Sequence, residues 1–480
     1  MSGGALGGIQ GGVPLGEAAP DAAASGDAVR LPNEPYPGLR PFLNHESLLL
    51  LGRERQVREV IERLQQTQFV AVIGGSGSGK SSLVLAGVVP ELRSFGIPGA
   101  GDFWLPMVCT PGTNVAPVVG AAPASTPTPI TRLARKFSKL LRPAGTPAQE
   151  AERLADIAAV FRQEAGFARL VDTYADELAV APGPAAASVR LLFVLDQFEE
   201  LFHPTNKGVD DARLMVERVI DHFFNPHPRC FIVLTMRSEH LNDCAGYLEL
   251  PDAINKSSYL VRRLDEQELR EAIVGPAQRY LRLLQRRSLP GALPLPEVVE
   301  FDPQVVDRLL RDVHAITHDP DHLPLLQHLL ARLWEAAFAR EAVRSGVPSK
   351  VEWDDLRCAV LAVAPGAAPL PTDATHHAAP VPFDDTANAL RASLENWAEA
   401  VYLRHPEPQR SMLDSVLRRL AFKDPNTGMY TQQRIDVDDP ALFGGAPNPR
   451  QTLRALIEDG FIGSVDYLFW DDEDPQRVTL

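Results

Sequence analysis

Residues 68–92 read QFVAVIGGSGSGKSSLVLAGVVPEL, and this stretch decides the fold. Phe69–Ile73 is an unbroken apolar run, largely β-branched, of the kind that suits a strand buried on both faces. The run breaks into Gly74-Gly75-Ser76-Gly77-Ser78-Gly79-Lys80-Ser81, which satisfies G-x-x-x-x-G-K-[ST] at every position. From Ser82 the apolar residues Leu83, Leu85 and Val88 recur at helical spacing as far as Pro90. A loop that wraps a polyphosphate must bring backbone N–H groups close to several negative charges. Glycine leaves room for that approach and tolerates the left-handed φ values it demands. The following helix would turn its positive end toward the phosphates. Lys80 is expected to supply a mobile charge for the β- and γ-phosphates, and Ser81 a hydroxyl for Mg²⁺. A chance Gly/Ser linker would lack the strand before it and the helix after it. The stretch reads as a nucleotide site.

Outward from that site, 480 residues exceed what one core supports and suggest about three domains. Lys and Arg number 47 against 62 Asp and Glu, a net charge of −15. An acidic surface aids solubility and argues against nucleic acid as the main partner. Cys109, Cys230, Cys244 and Cys358 are scattered without a C-x-x-C pair, as expected of small buried residues in a reducing compartment. No apolar run is long enough to span a bilayer, and no basic-then-apolar leader opens the chain, so the cytoplasm is the expected location.

Residues 1–34 are Gly/Ala-rich with almost no large apolar side chains, and are expected to be a disordered tail. Pro35–Phe42 is an extended, turn-rich segment. Val57, Val60, Ile61 and Leu64 then recur at helical spacing, predicting a helix that ends near Gln66. Beyond the loop, Phe103–Thr110 is a candidate strand, and Gly112–Pro129 an irregular surface insertion. Helical patterns cover Ile130–Leu141, Ala148–Leu178 and Ala212–Phe224. Two further apolar runs, Arg190–Leu195 and Cys230–Thr235, predict strands. Strands alternating with helices give an α/β fold: a P-loop NTPase core with a three-layer parallel sheet, spanning 35–263. From 264 to 389 the pattern is helical (Asp265–Ala277, Asp302–His314, Leu323–Ala339) and closes on a Pro/Ala loop, Ala364–Pro382, that holds His376-His377 as surface residues. Residues 390–480 form a last unit with helices near Leu394–Leu403, Met412–Ala421 and Pro449–Asp459. Strands over Phe461–Phe469 and Gln476–Leu480 follow, joined by an acidic turn at Asp471–Asp474. Helices before a terminal hairpin suggest a partial, truncated winged helix.

Ligand chemistry in an open parallel sheet gathers at the carboxyl ends of the strands. Asp196 stands just past the 190–195 strand, where a carboxylate can hold Mg²⁺ facing the loop. Hydrolysis also needs an acceptor for the attacking water, and Glu199 and Glu200 are both candidates. Gln197 stands where many ATPases carry an acid; it can orient water but is a poor base, so slow turnover is expected. Arg237, past the next strand, would sense the γ-phosphate through charge-assisted bonds, the plainer alternative being an ion pair with Glu239 or Glu200.

These residues together resemble the STAND class of signal-transduction ATPases, and within it the novel STAND NTPase 1 type. The resemblance rests on YPGLRPF at Tyr36–Phe42, LGRE at Leu51–Glu54, GGSGSGKSSL at Gly74–Leu83, VLDQFEELF at Val194–Phe202, TMRSE at Thr235–Glu239 and LPLLQHLLARLW at Leu323–Trp334. It implies an AAA+-like core, a helical lid and a winged helix, working as a switch that ADP holds closed and that ATP and a stimulus open for self-association. By position, Gly74 through Ser82 would bind phosphate, Ser81 and Asp196 the metal, and Arg237 would be the sensor. Gly52-Arg53-Glu54 would lie near the base or ribose, and Pro324 would pack on the adenine from the lid, or serve as a proline at the first position of a helix. The family pattern continues past a segment like Arg477–Leu480 into a histidine-bearing helix that touches the ADP β-phosphate. The chain is therefore expected to be a fragment without that lock, with its sensor and effector domains elsewhere. The leading expectation is a slow ATP/ADP switch in bacterial signalling or defence. An AAA+ ATPase that loads or remodels DNA or protein is the alternative. A small-molecule kinase is a third reading, against which no second substrate site stands out.

Overall fold

The computed structural model describes residues 34–99, 103–112, 128–143, 145–178, 189–202, 210–287, 295–316, 318, 321–341, 347–363, 383–384 and 387–404. Beyond these it describes 410, 415, 421–423, 430–432, 435–436, 469–471 and 474–479.

Five strands form the core sheet: β1 (Phe69–Gly74), β2 (Phe103–Cys109), β3 (Val189–Leu195), β4 (Cys230–Arg237) and β5 (Ser258–Leu260). Their order across the sheet is β2-β3-β4-β1-β5, and every pairing is parallel. The alternation of the strand explains why the run at Phe69–Gly74 is apolar throughout. Val70 and Val72 pack on one face against Val57, Val60 and Leu64 of the helix Glu54–Thr67 and against Leu83, Val84 and Val88. Phe69, Ala71 and Ile73 pack on the other against the helices Pro129–Ser138, Pro147–Arg162 and Asp210–Phe224. Three layers result, as the sequence predicts. β1 and β4 run in register, Val72 opposite Thr235 and Gly74 opposite Arg237, so the strand ends that carry polar residues arrive side by side.

Several elements depart from expectation. The helix after the loop does not stop at Pro90; it runs on through Val89–Phe95. A π turn over Leu83–Val88 precedes it, with the Val89 N–H on the Val84 carbonyl, and the wider turn relieves the clash a proline otherwise makes with the preceding turn. The pattern Ala148–Leu178 is broken, since Pro147–Arg162 ends before Ala165, whose φ is 54° and whose N–H donates to Asp221 Oδ2 at 2.6 Å. Asp265–Ala277 is only the first half of a helix that extends over Glu266–Arg287 with Pro276 inside it. β5 and the helices Leu250–Lys256 and Trp353–Leu361 were not anticipated.

A second core, in the helical region that the sequence assigns to a lid, forms from Leu269, Ile273, Leu309, Leu326, Leu330 and Trp334, and Tyr36 of the opening segment is buried within it. The helix Ala389–Arg404, placed by sequence in the terminal unit, packs here through Ala389, Leu390 and Ala392. Its start is fixed by a buried ion pair: Arg308 Nε lies 2.8 Å from Asp312 Oδ2, which also accepts the Ala389 N–H at 2.9 Å. Arg308→Met keeps the apolar stem and leaves the Asp312 carboxylate buried without its cation. The expected cost is about 3–5 kcal/mol, read as a lower urea midpoint; an unchanged midpoint would show that the pair adds nothing.

At the end of the chain Phe469–Asp471 pairs antiparallel with Asp474–Thr479, a hairpin starting later than the sequence predicts, and Ile435–Asp436 flanks it. Of the helix expected over 412–421, Ser415 is helical and Ala421 instead opens a short strand, Ala421–Lys423, paired antiparallel with Tyr430–Gln432; the rest of it, the helix expected over 449–459, the His376-His377 pair and the first 33 residues lie outside the described residues. All four cysteines are buried, and none of them is in a disulfide. Among the described residues no helix is long and apolar enough to cross a membrane.

Candidate functional site

The loop after β1 has the geometry its glycines permit. Gly77 and Gly79 take φ of 64° and 85°, values a side-chain-bearing residue adopts only under strain. Lys80 is buried and donates from Nζ to the carbonyls of Gly74 at 3.0 Å and Gly75 at 2.7 Å. Burial lowers its pKa, and the charges of Glu199 and Asp196 pull the other way. Arg53 is buried beneath the loop, with Nη2 on the Ser78 carbonyl at 2.8 Å and Nη1 on Gln56 Oε1 at 2.7 Å and the Arg262 carbonyl at 3.2 Å. Burial brings its pKa down to about 10. Arg53 lines the site but spends its donors bracing the loop, which the expectation of a base or ribose contact did not include.

Ser81 Oγ donates to Asp196 Oδ1 at 2.9 Å, and Thr235 Oγ1 donates to the same oxygen at 2.6 Å. Thr235 in turn accepts the N–H of Gln197, whose left-handed φ of 57° turns the chain sharply past β3. Burial raises the Asp196 pKa, and the bonds from Thr235 and Ser81 partly offset it. Thr235 is the polar residue at the buried end of an apolar strand, and that mismatch was the sequence signal for its role. Glu199 and Glu200 follow in a tight turn, Phe198–Phe202. The turn separates them: Glu199 lines the cavity, whereas Glu200 lies against Gly112, where an added Cβ would come within 2.0 Å of the Glu200 Cβ. Arg237 pairs with Glu199 at 3.3 Å and donates its backbone N–H to the same carboxylate at 3.3 Å, rather than pairing with Glu239 or Glu200. Burial pushes the Glu199 carboxyl up despite Arg237 and Lys80.

These groups face a cavity of about 310 Å³, of a size that admits a small ligand. The core contributes the polar lining: Ser76, Gly77, Gly79, Lys80, Ser81, Asp196, Gln197, Glu199, Thr235 and Arg237. The rest of the lining is mostly apolar and comes from two sources, Gly38–Phe42 with Leu49–Leu51, and the helical region through Leu264, Pro276, Leu323, Pro324 and Leu326, with Arg40, Asp321 and Gln327 as its polar members. Ser82 lines it too and accepts the Phe42 N–H at 3.1 Å. Pro324 is the third residue of the helix His322–Glu341, not the first; within the opening turn its missing N–H would have lacked an intrahelical partner anyway. Gly75 and Ser78 lie on the far side of the loop, around a smaller cavity with Arg262, Arg263, His318 and His322, and Gly74 lines neither. Sequence reasoning missed the wall at Gly38–Phe42, reading Pro35–Phe42 as an extended, turn-rich segment and using its motif for the resemblance without assigning it to the site.

Residues 35–346 match the family described as Novel STAND NTPase 1. No curated protein matches the chain. Among solved structures, Cdc6p from Pyrobaculum aerophilum is similar over 90% of this chain and 89% of its own, at 11% identity and a TM-score of 0.35. The ORC2 protein of Aeropyrum pernix, in its ADPNP–ADP complexes, matches over 89% and 87% at 13% identity and a TM-score of 0.37. The Walker-type ATPase PABY2304 of Pyrococcus abyssi matches over 92% and 96% at 13% identity and a TM-score of 0.35. Scores this low add nothing to what the sheet order and the loop already establish.

Proposed function

We propose, from the premise that the chain belongs to the novel STAND NTPase 1 family, that this P-loop NTPase is a slow, nucleotide-dependent switch. One observation carries the reading: a single cavity is walled by the phosphate loop of the core and by the first turn of a lid helix. A ligand filling it would contact both bodies and bias their relative position by its differential affinity. ATP or ADP fits the donor set, with its phosphates against Gly77, Gly79, Lys80 and Ser81. Lys80 would exchange two backbone carbonyls for phosphate oxygens, a stronger charge-assisted contact. Arg237 would leave Glu199 for the γ-phosphate, freeing that carboxylate to hold the attacking water. Gln197 is no base, and the Arg237–Glu199 pair must break before Glu199 can hold the water, which together support slow turnover.

The Ser81 hydroxyl and the Asp196 carboxylate are hard oxygen donors 2.9 Å apart, and they suit Mg²⁺ that keeps waters and phosphate oxygens as its other ligands. Bound there, Mg²⁺ would neutralise charge on the phosphates. Asp196→Asn preserves an acceptor for Ser81 and Thr235 but loses the charge. ATP affinity should fall by roughly tenfold, about 1.4 kcal/mol, in Mg²⁺ and hold or rise in EDTA, where the carboxylate only repels the phosphates; an equal loss in both would remove Asp196 from the metal site.

The wider reading includes self-association on activation and sensor or effector domains outside residues 1–480. It is tested by purifying the chain and assaying its content and turnover. A switch retains ADP and hydrolyses ATP slowly. Rapid turnover stimulated by DNA would favour a loader or remodeller instead.

A further inference from the structure

We infer that an acidic groove on the core of one copy receives a basic stripe on the helical region of a second copy, so that copies join head to tail. The inference rests on the self-association in the proposed switch and names the two surfaces that would carry it.

The groove, about 1540 Å³ in volume, runs between the helix Asp210–Phe224 and the segment Asn242–Glu249 that follows β4. Its lining holds six carboxylates against two arginines. Both arginines are already matched within the groove: Arg213 pairs with Glu217 at 2.9 Å, and Arg218 lies 3.9 Å from Asp221. Four carboxylates remain in excess, among them the exposed Glu164, Asp243 and Glu249, of which Asp243 shares a hydrogen bond with His240. Apolar surface lies beside them, with Leu248 95% exposed and Phe224 43%. An apolar spot ringed by charge is the layout of a protein–protein interface. A groove short of cations favours a cationic partner.

The cations stand on the same chain. Arg279, Arg282 and Arg286 are three and four residues apart on the helix Glu266–Arg287, which puts them on one face over about 10 Å. All three are exposed, and among the described residues none of them meets a carboxylate. Tyr280, Leu281 and Leu284 of the same helix turn the other way, into the second core. The helix residues three and four places from each arginine are glycine, proline, glutamine, leucine or arginine, so nothing on the helix offsets their mutual repulsion. In a chain of net charge −15, a cationic stripe without counter-charge is the exception. Groove and stripe sit on different cores and do not meet within one copy. Two copies can pair them: the guanidinium groups meet the carboxylates, and the arginine stems cover Leu248. Each joined copy keeps one free groove and one free stripe, so the contact repeats, closing a ring or growing a filament.

The test reverses the charge on each surface and follows association of the full chain by sedimentation velocity, with a non-hydrolysable ATP analogue present. One variant combines Arg279→Glu, Arg282→Glu and Arg286→Glu; the other combines Glu164→Lys, Asp243→Lys and Glu249→Lys. Neither set lines the nucleotide cavity, so analogue binding should hold in both and shows that they are folded. Each variant alone should associate at least about tenfold more weakly than the wild type, since like charges then face each other. An equimolar mixture of the two should regain association, because every basic surface again meets an acidic one. The single reversals Arg282→Glu and Glu249→Lys, mixed in the same way, replace a triple variant that does not fold. Association unchanged in either variant overturns the contact, and so does a mixture that stays as weak as its components. A wild type that binds the analogue yet remains monomeric at every concentration removes self-association itself, which tells that failure apart from a wrong choice of surfaces.

Discussion

Lys80→Ala should abolish measurable nucleotide binding. The Nζ of Lys80 is held over the loop by the Gly74 and Gly75 carbonyls at 3.0 and 2.7 Å, in a site that also contains the buried carboxylates of Asp196 and Glu199. A polyphosphate entering such a site brings several charges into surroundings where screening is weak. Removing the one buried lysine leaves those phosphates against two buried carboxylates. Truncating one partner of a buried charged pair costs about 2–5 kcal/mol, here compounded by like-charge repulsion, so affinity should fall by roughly a hundredfold or more. Calorimetric titration with ADP reads it, and affinity within threefold of wild type, an order-of-magnitude threshold well inside that loss, would contradict the assignment.

Glu199→Gln should retain nucleotide and lose turnover. A positioned general base contributes about 10²–10⁴ in rate, and a glutamine in its place can orient water without taking a proton. Glu200→Gln should change turnover little, since that side chain lies against Gly112 and away from the cavity lining. Equal losses from both substitutions would mean the carboxylates act together or structurally. The pH profile gives an independent check. Burial raises the Glu199 and Asp196 carboxyls above their ordinary values, so turnover should fail on the acid side at a higher pH than an unperturbed carboxylate allows. The stability linkage has the opposite sign. A carboxyl whose folded pKa is raised is favoured by folding in its protonated form, so its contribution is most favourable below the unfolded pKa and declines as pH rises through the folded one. Neutralising Glu199 therefore removes a cost of burial and takes a partner from Arg237.

The phosphate loop was legible because its requirements are local: room for backbone N–H groups, positive φ at Gly77 and Gly79, and one lysine at fixed spacing. β1, β3 and β4 were legible because strands buried on both faces are almost wholly apolar, Arg190 at the start of β3 and Thr235 and Arg237 at the end of β4 being the exceptions. What escaped depends on contacts distant in sequence. The break at Ala165 is held by Asp221, and the path through Pro90 depends on the turn widened before it. Glu199 and Glu200 are neighbours, and only the tight turn at Phe198–Phe202 assigns one to the cavity and the other to Gly112. Thr235 gains its meaning from Asp196 and Gln197 on the adjacent strand's end. The opening segment is the clearest case. Tyr36–Phe42 has turn composition, and nothing local says that its first residue enters the lid core while its last is tied to Ser82.

The central claim is that one nucleotide grips core and lid at the same time. Hydrogen–deuterium exchange with and without ADP tests it most directly, followed over residues 75–82 of the loop and 321–330 of the lid. Joint slowing of both segments, lost together in Lys80→Ala, is the predicted result. Protection of the loop while the lid exchanges unchanged would show a ligand bound to the core alone and would contradict the account.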